Sequence, residues 1–64
     1  MNKKKLERHL KEHDCSFGHH GAEHDVWRRN DLRGRAAVPR HNEIKYPTAR
    51  SICSELGIPP PPGK

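Results

Sequence analysis

Aromatic side chains are nearly missing from this chain, which has one Phe, one Trp and one Tyr in 64 residues. Apolar residues make up 30% of the whole, enough for a single thin core and not for two. Cysteine is also scarce. Cys15 and Cys53 are too few for a disulfide scaffold, and no apolar run reaches membrane length. Both thiols are expected to be small buried residues of a cytoplasmic protein with no membrane partner. No Cys-x-x-Cys pair stands beside a His-x-x-x-His pair, so the strong zinc signature is absent. Nor does the chain offer a Ser-His-Asp arrangement, a phosphate-binding glycine loop or a pair of catalytic carboxylates.

Positive charge and histidine are what the chain has in quantity. Thirteen Lys and Arg against eight Asp and Glu leave a net charge of +5, and six histidines add to it on protonation. Such a surplus on so small a body favours a polyanionic partner and salt-sensitive binding. The cations fall in two blocks. Lys3, Lys4, Lys5, Arg8 and Lys11 crowd the first eleven residues, and seven more run from Arg28 to Arg50. Between the blocks, residues 12–25 hold four acids, no Lys or Arg, and the histidines His13, His19, His20 and His24. Carboxylates nearby favour the protonated imidazole and keep it available as an acid.

Asn2 is suited to cap a helix over residues 3–13, with Leu6 and Leu10 on its buried face and His9 and His13 alongside. The alternation of Cys15-Ser16-Phe17 predicts a short strand, and Gly18 to Gly21 a turn. A second strand is expected over His24–Arg29. Asn30 to Gly34 reads as a hairpin connection, and Arg35 to Val38 as a third strand ended by Pro39. Residues 40–46 read as a loop, which His41 is suited to order. Pro47 suits the first turn of a closing helix, where Ala49, Ile52, Cys53 and Leu56 share a face and Gly57 ends it. Residues 1–58 therefore form one α+β domain: a helix, a three-stranded antiparallel sheet and a helix. The Pro-rich tail, residues 59–64, is expected to be disordered and outside the fold.

Parity along the second strand sets the direction of His24. It shares a side with Val26 and Arg28, while Trp27 shares one with Asp25. Burying the indole removes more apolar area from water than burying Val26, so the favoured register turns His24, Val26 and Arg28 outward. The opposite register exposes Trp27 as a stacking platform for bases. Imidazole moves protons near neutral pH, and RNA carries its own nucleophile in the 2′-hydroxyl, so an outward His24 in a basic domain suits RNA scission. Two other uses of the same residues stand beside it. One is a catalytically inactive RNA-binding module, with His24 only touching phosphate. The other is a zinc protein using His19, His20 and His24 with Cys15.

Three stretches together resemble the HicA family of toxins, the small mRNA interferases of HicAB toxin–antitoxin modules. They are Gly21-Ala22-Glu23-His24-Asp25-Val26-Trp27, then Ala37-Val38-Pro39-Arg40-His41-Asn42-Glu43-Ile44-Lys45, then Thr48 through Ile58. The resemblance runs from about residue 3 to residue 58. It implies a double-stranded-RNA-binding-domain-like fold and endoribonuclease activity on mRNA with neither metal nor cofactor. A HicB-like antitoxin is the implied protein partner, and His24 takes the place of the family's catalytic histidine. Arg28, Arg29, Arg40 and Lys45 are the candidate RNA-binding cations. The family's usual Gly-Ser-His is here Ala22-Glu23-His24, with Gly21 one place further back.

Overall fold

The computed structural model describes residues 1–62. The first helix, α1, spans Lys3–Glu12, and the Asn2 side chain accepts a hydrogen bond from the Lys4 N–H at 2.7 Å, closing its open N-terminus. Leu6 and Leu10 stand one turn apart and are fully buried, with His9 buried between them. Strands β1 (Cys15–His20), β2 (His24–Arg29) and β3 (Arg35–Pro39) form one antiparallel sheet in that order. The second helix, α2, spans Tyr46–Leu56. Its N-terminal turn contains Pro47, and Gly57 closes it in the left-handed region at φ 72°. There the N–H groups of Gly57 and Ile58 donate to the carbonyls of Ser54 and Cys53.

Both helices lie on one face of the sheet, α1 against β1 and α2 against β3. Their apolar stripes meet Cys15, Trp27, Ala36 and Val38 in a single core, and the other face of the sheet stays uncovered. The order of elements and the one-sided core are the α+β arrangement that the periodicities predict, and they make it the double-stranded-RNA-binding-domain-like fold that the resemblance implies. Cys15 and Cys53 are free and buried in that core. Burial pushes both thiols up, Cys53 to about 11, so each stays protonated at neutral pH and packs as an apolar group.

Three local expectations change. Gly18 to Gly21 is not a turn. β1 continues to His20 through a bulge between Phe17 and His19, and only Gly21 to Glu23 separate it from β2. A Cβ on Gly18 would lie 2.9 Å from the Val26 carbonyl oxygen, so the glycine serves close approach of two strands. The loop after β3 is pinned to the start of the chain. Lys3 N–H donates to the Asn42 carbonyl at 2.9 Å and Ile44 N–H to the Met1 carbonyl at 2.8 Å, with Ile44 buried beneath.

The third change concerns the proline tail, whose first residues lie against the domain. His9 Nε2–H donates to the Pro59 carbonyl at 2.9 Å, Tyr46 O–H donates to the Pro61 carbonyl at 3.1 Å, and Pro61 is buried. Proline carbonyls have no ladder partner of their own, and two side-chain donors from the helices fill that need. The last two residues of the expected tail, 63 and 64, lie outside the described residues.

A core of this size makes each leucine count. Leu10→Ala is expected to cost about 2–5 kcal/mol, a large share of the stability of a small domain at roughly 0.1 kcal/mol per residue. Thermal melts followed by circular dichroism should show a large drop for Leu10→Ala. Leu32→Ala, at a position 75% exposed, should shift the melt little.

Candidate functional site

Strand β2 divides the site. Asp25 and Trp27 point to the helices and are buried, while His24, Val26 and Arg28 point to the uncovered face. His24 opens the strand opposite Pro39. Its backbone carbonyl accepts the Gly21 N–H at 2.7 Å, which closes the β1–β2 turn. Among the described residues its imidazole has no hydrogen-bond partner and is exposed. The ring is therefore held by its backbone and left open to a ligand.

The backbone is held from beneath by Asp25. Its carboxylate, 8% exposed, accepts Arg40 Nε–H at 2.9 Å and His20 Nδ1–H at 2.8 Å, with Lys3 Nζ at 3.7 Å. Arg40 also donates from Nη2 to the Gly21 carbonyl at 2.5 Å. One guanidinium thus joins the first residue of the turn to the residue after His24. The Arg40 hydrogen bond, and after it the one from His20, holds the Asp25 carboxyl below the usual carboxylate range.

The remaining candidates separate into two groups. Arg28 is exposed on the open face, and Lys45 is exposed at the N-cap of α2. Arg29 turns the other way. Its Nη1 donates to the Leu56 and Gly57 carbonyls at 3.3 Å each, and its Nη2 meets Asp31 at 2.9 Å, so it caps α2. Arg40 is occupied by Asp25 and Gly21, and His41 is exposed in the loop after β3. His19 stands opposite Val26 and faces the uncovered side, while His20 stands opposite Asp25 and faces the helix side with Cys15. Among the described residues no three His, Cys, Asp or Glu side chains come together as a metal site.

Residues 4–58 match the family model described as the HicA toxin of bacterial toxin-antitoxin. The chain belongs to the HicA toxin family. It is thus the toxin of a toxin–antitoxin module, with an antitoxin as its partner. No curated protein and no solved structure gives a match. Among the described residues no helix of the toxin is long and apolar enough to cross a membrane.

Two features of the toxin's site are not drawn out by the strand and helix periodicities alone. The partners of Asp25 come from α1, β1 and the end of β3, and no local pattern brings Lys3, His20 and Arg40 together. Arg35 was reachable, since pairing across the hairpin sets it directly opposite Arg28.

The Asp25 cluster predicts an acid-sensitive fold. Its carboxyl is depressed in the folded toxin, so its stabilisation is complete above the ordinary aspartate value of about 3.9 and is lost as pH falls through the folded value. Urea unfolding between neutrality and acid should show stability falling on the acid side. Asp25→Asn should be less stable at neutral pH and show a shallower fall. An acid limb of unchanged slope in Asp25→Asn would assign the sensitivity to other carboxylates.

Proposed function

We propose that this HicA toxin is a metal-independent endoribonuclease acting on mRNA, with His24 as the general acid or base. The observation that carries the reading is an exposed imidazole with no side-chain partner among the described residues, beside a turn clamped by Arg40, in a toxin of this family. The chemistry asks little more of the protein. The ribose 2′-oxygen attacks the adjacent phosphorus, the bond from phosphorus to the 5′-oxygen breaks, and a 2′,3′-cyclic phosphate and a 5′-hydroxyl result. His24 takes the proton from the 2′-hydroxyl or returns one to the leaving 5′-oxygen, and cations offset charge on the phosphate.

Arg28 and Lys45 supply free positive charge for binding. Arg29 and Arg40 spend their hydrogen bonds inside the fold and add to the field around it. Glu23, exposed beside His24, sits where an RNA phosphate approaches. It restrains the field without removing the proton carrier. The antitoxin is proposed to be HicB-like, with an acidic surface that covers His24 or its surroundings.

His24→Ala tests the mechanism. It removes little buried surface, so stability should change by less than about 1 kcal/mol. Cleavage of RNA in the presence of a chelator should fall by about a hundredfold or more. Binding of RNA should survive, and His41→Ala should retain most activity. A folded His24→Ala toxin that cuts as fast as the parent removes this histidine from the mechanism.

Co-expression addresses the partner. The neighbouring reading frame should yield a protein that co-purifies with the toxin and relieves its growth defect. Separate purification with the defect intact would overturn the proposed HicB-like antitoxin.

A further inference from the structure

The hairpin end of the sheet carries three arginines for which the fold has no use. Arg28 on β2 and Arg35 on β3 are directly opposed, and both are exposed on the uncovered face. Like charges opposed across a ladder weaken the pairing. Arg33 joins them from the connecting loop, and one pocket is lined by Arg28, Leu32, Arg33, Gly34 and Arg35. Among the described residues none of the three guanidinium groups forms an ion pair. The nearby acid is already engaged, since Asp31 takes the Arg29 side chain and the Arg33 backbone N–H. Leu32, exposed and held at φ 64°, presents an apolar side chain among these cations.

The same face leads from this cluster to His24. Its strand residues are Ser16, His19, His24, Val26, Arg28, Arg35, Ala37 and Pro39, with no acid among them. The floor between the ends is low. Gly18 has no side chain, Ala37 has a methyl group, and an ideal Cβ on Gly18 would lie 3.6 Å from Arg28 Nε. Arg28 thus leans over the bare backbone of β1. His24 and Arg28 lie four steps apart along the strand, a distance of about 13 Å, or the span of a few nucleotides.

We propose that the uncovered face of the sheet is a track for single-stranded RNA. Arg28, Arg33 and Arg35 grip phosphates at the hairpin end, and His24 acts at the other. Leu32 gives a base an apolar surface at the grip, in the manner of single-strand sites that combine cations with a stacking or packing platform. The proposal rests on the endoribonuclease reading and adds to it a distance: the bond that is cut lies a few nucleotides from the grip. Each guanidinium offers paired N–H donors in a fork that matches two phosphate oxygens.

The test compares Arg28→Gln/Arg33→Gln/Arg35→Gln with Lys4→Gln/Lys5→Gln/Lys11→Gln, which removes the same charge from exposed positions on α1. Binding of a fluorescent single-stranded oligonucleotide is read in a His24→Ala background, and cleavage in the active toxin. The arginine variant should bind about tenfold more weakly or worse, and its salt slope should flatten by about 2, the amount three single-strand phosphate contacts carry. KM should rise with kcat nearly unchanged, and the defect should vanish on a dinucleotide too short to reach the grip. The lysine variant should lose much less. Arg35→Gln alone should melt no lower than the parent, because an opposed like charge has been removed.

Four results overturn the track. They are equal losses in the two triple variants, a defect that persists on the dinucleotide, a markedly lower melt for Arg35→Gln, and unchanged RNA binding with lost antitoxin binding. The last assigns the face to the protein partner. A parent toxin that neither binds nor cuts RNA would instead defeat the endoribonuclease reading, and the track with it.

Discussion

One carboxylate ties the domain together. Asp25 lies beneath the sheet and is shared by Lys3 of α1, His20 of β1 and Arg40 just past β3. Three separate parts of the chain meet on its two oxygens. A buried charge is tolerated only when its partners are close and well aligned, and removing one partner leaves the rest uncompensated. The arrangement therefore defines one relation among these segments more than it adds net stability. His24 benefits without touching the cluster. Its neighbour in sequence is fixed, and the turn before it is fixed by the second grip of Arg40, so the imidazole inherits a defined position with a free ring.

The sheet divides labour by parity. On one side, a small apolar set is completed by two helices, each bound by local chemistry at its ends. Asn2 closes the start of α1, and Gly57 with Arg29 closes the end of α2. On the other side, among the described residues, no helix competes for space and no acid neutralises Arg28, Arg33 and Arg35. Trp27 is the residue that enforces the division, because no shift of one position could bury its indole and leave Asp25 and His24 where they are. Its Nε1–H is buried with no partner among the described residues, so packing alone holds the ring.

Much of this is legible from spacing. The alternation of His24 through Arg28 predicts which residues face outward, and the i, i+3, i+4, i+7 pattern ending at Leu56 predicts α2. Both are local patterns with one dominant period. Gly18 misleads because glycine marks a turn and a bulge equally well, and only the proximity of the Val26 carbonyl separates them. Ile44 escapes notice because an isolated apolar residue in a polar loop has no period, and its burial depends on pairing with residues 1–3. Arg29 and Arg40 look like surface cations for a similar reason. Beside their bonds to Asp31 and Asp25, each donates to backbone carbonyls far away in sequence, those of Leu56 and Gly57 for Arg29 and that of Gly21 for Arg40. What pattern reading catches is periodic, and what it misses is the meeting of distant polar groups.

The proline segment along the helices has an unusual observational consequence. Pro59 to Pro62 carry no backbone N–H, so amide hydrogen exchange cannot register whether that segment is seated or detached. A detachment would break no cooperative ladder, since the segment is held through its carbonyls by His9 and Tyr46. Its state is written instead in two rings, one imidazole and the chain's single phenol. Nuclear resonance of the His9 ring or fluorescence of Tyr46 would follow a motion to which the backbone itself is silent.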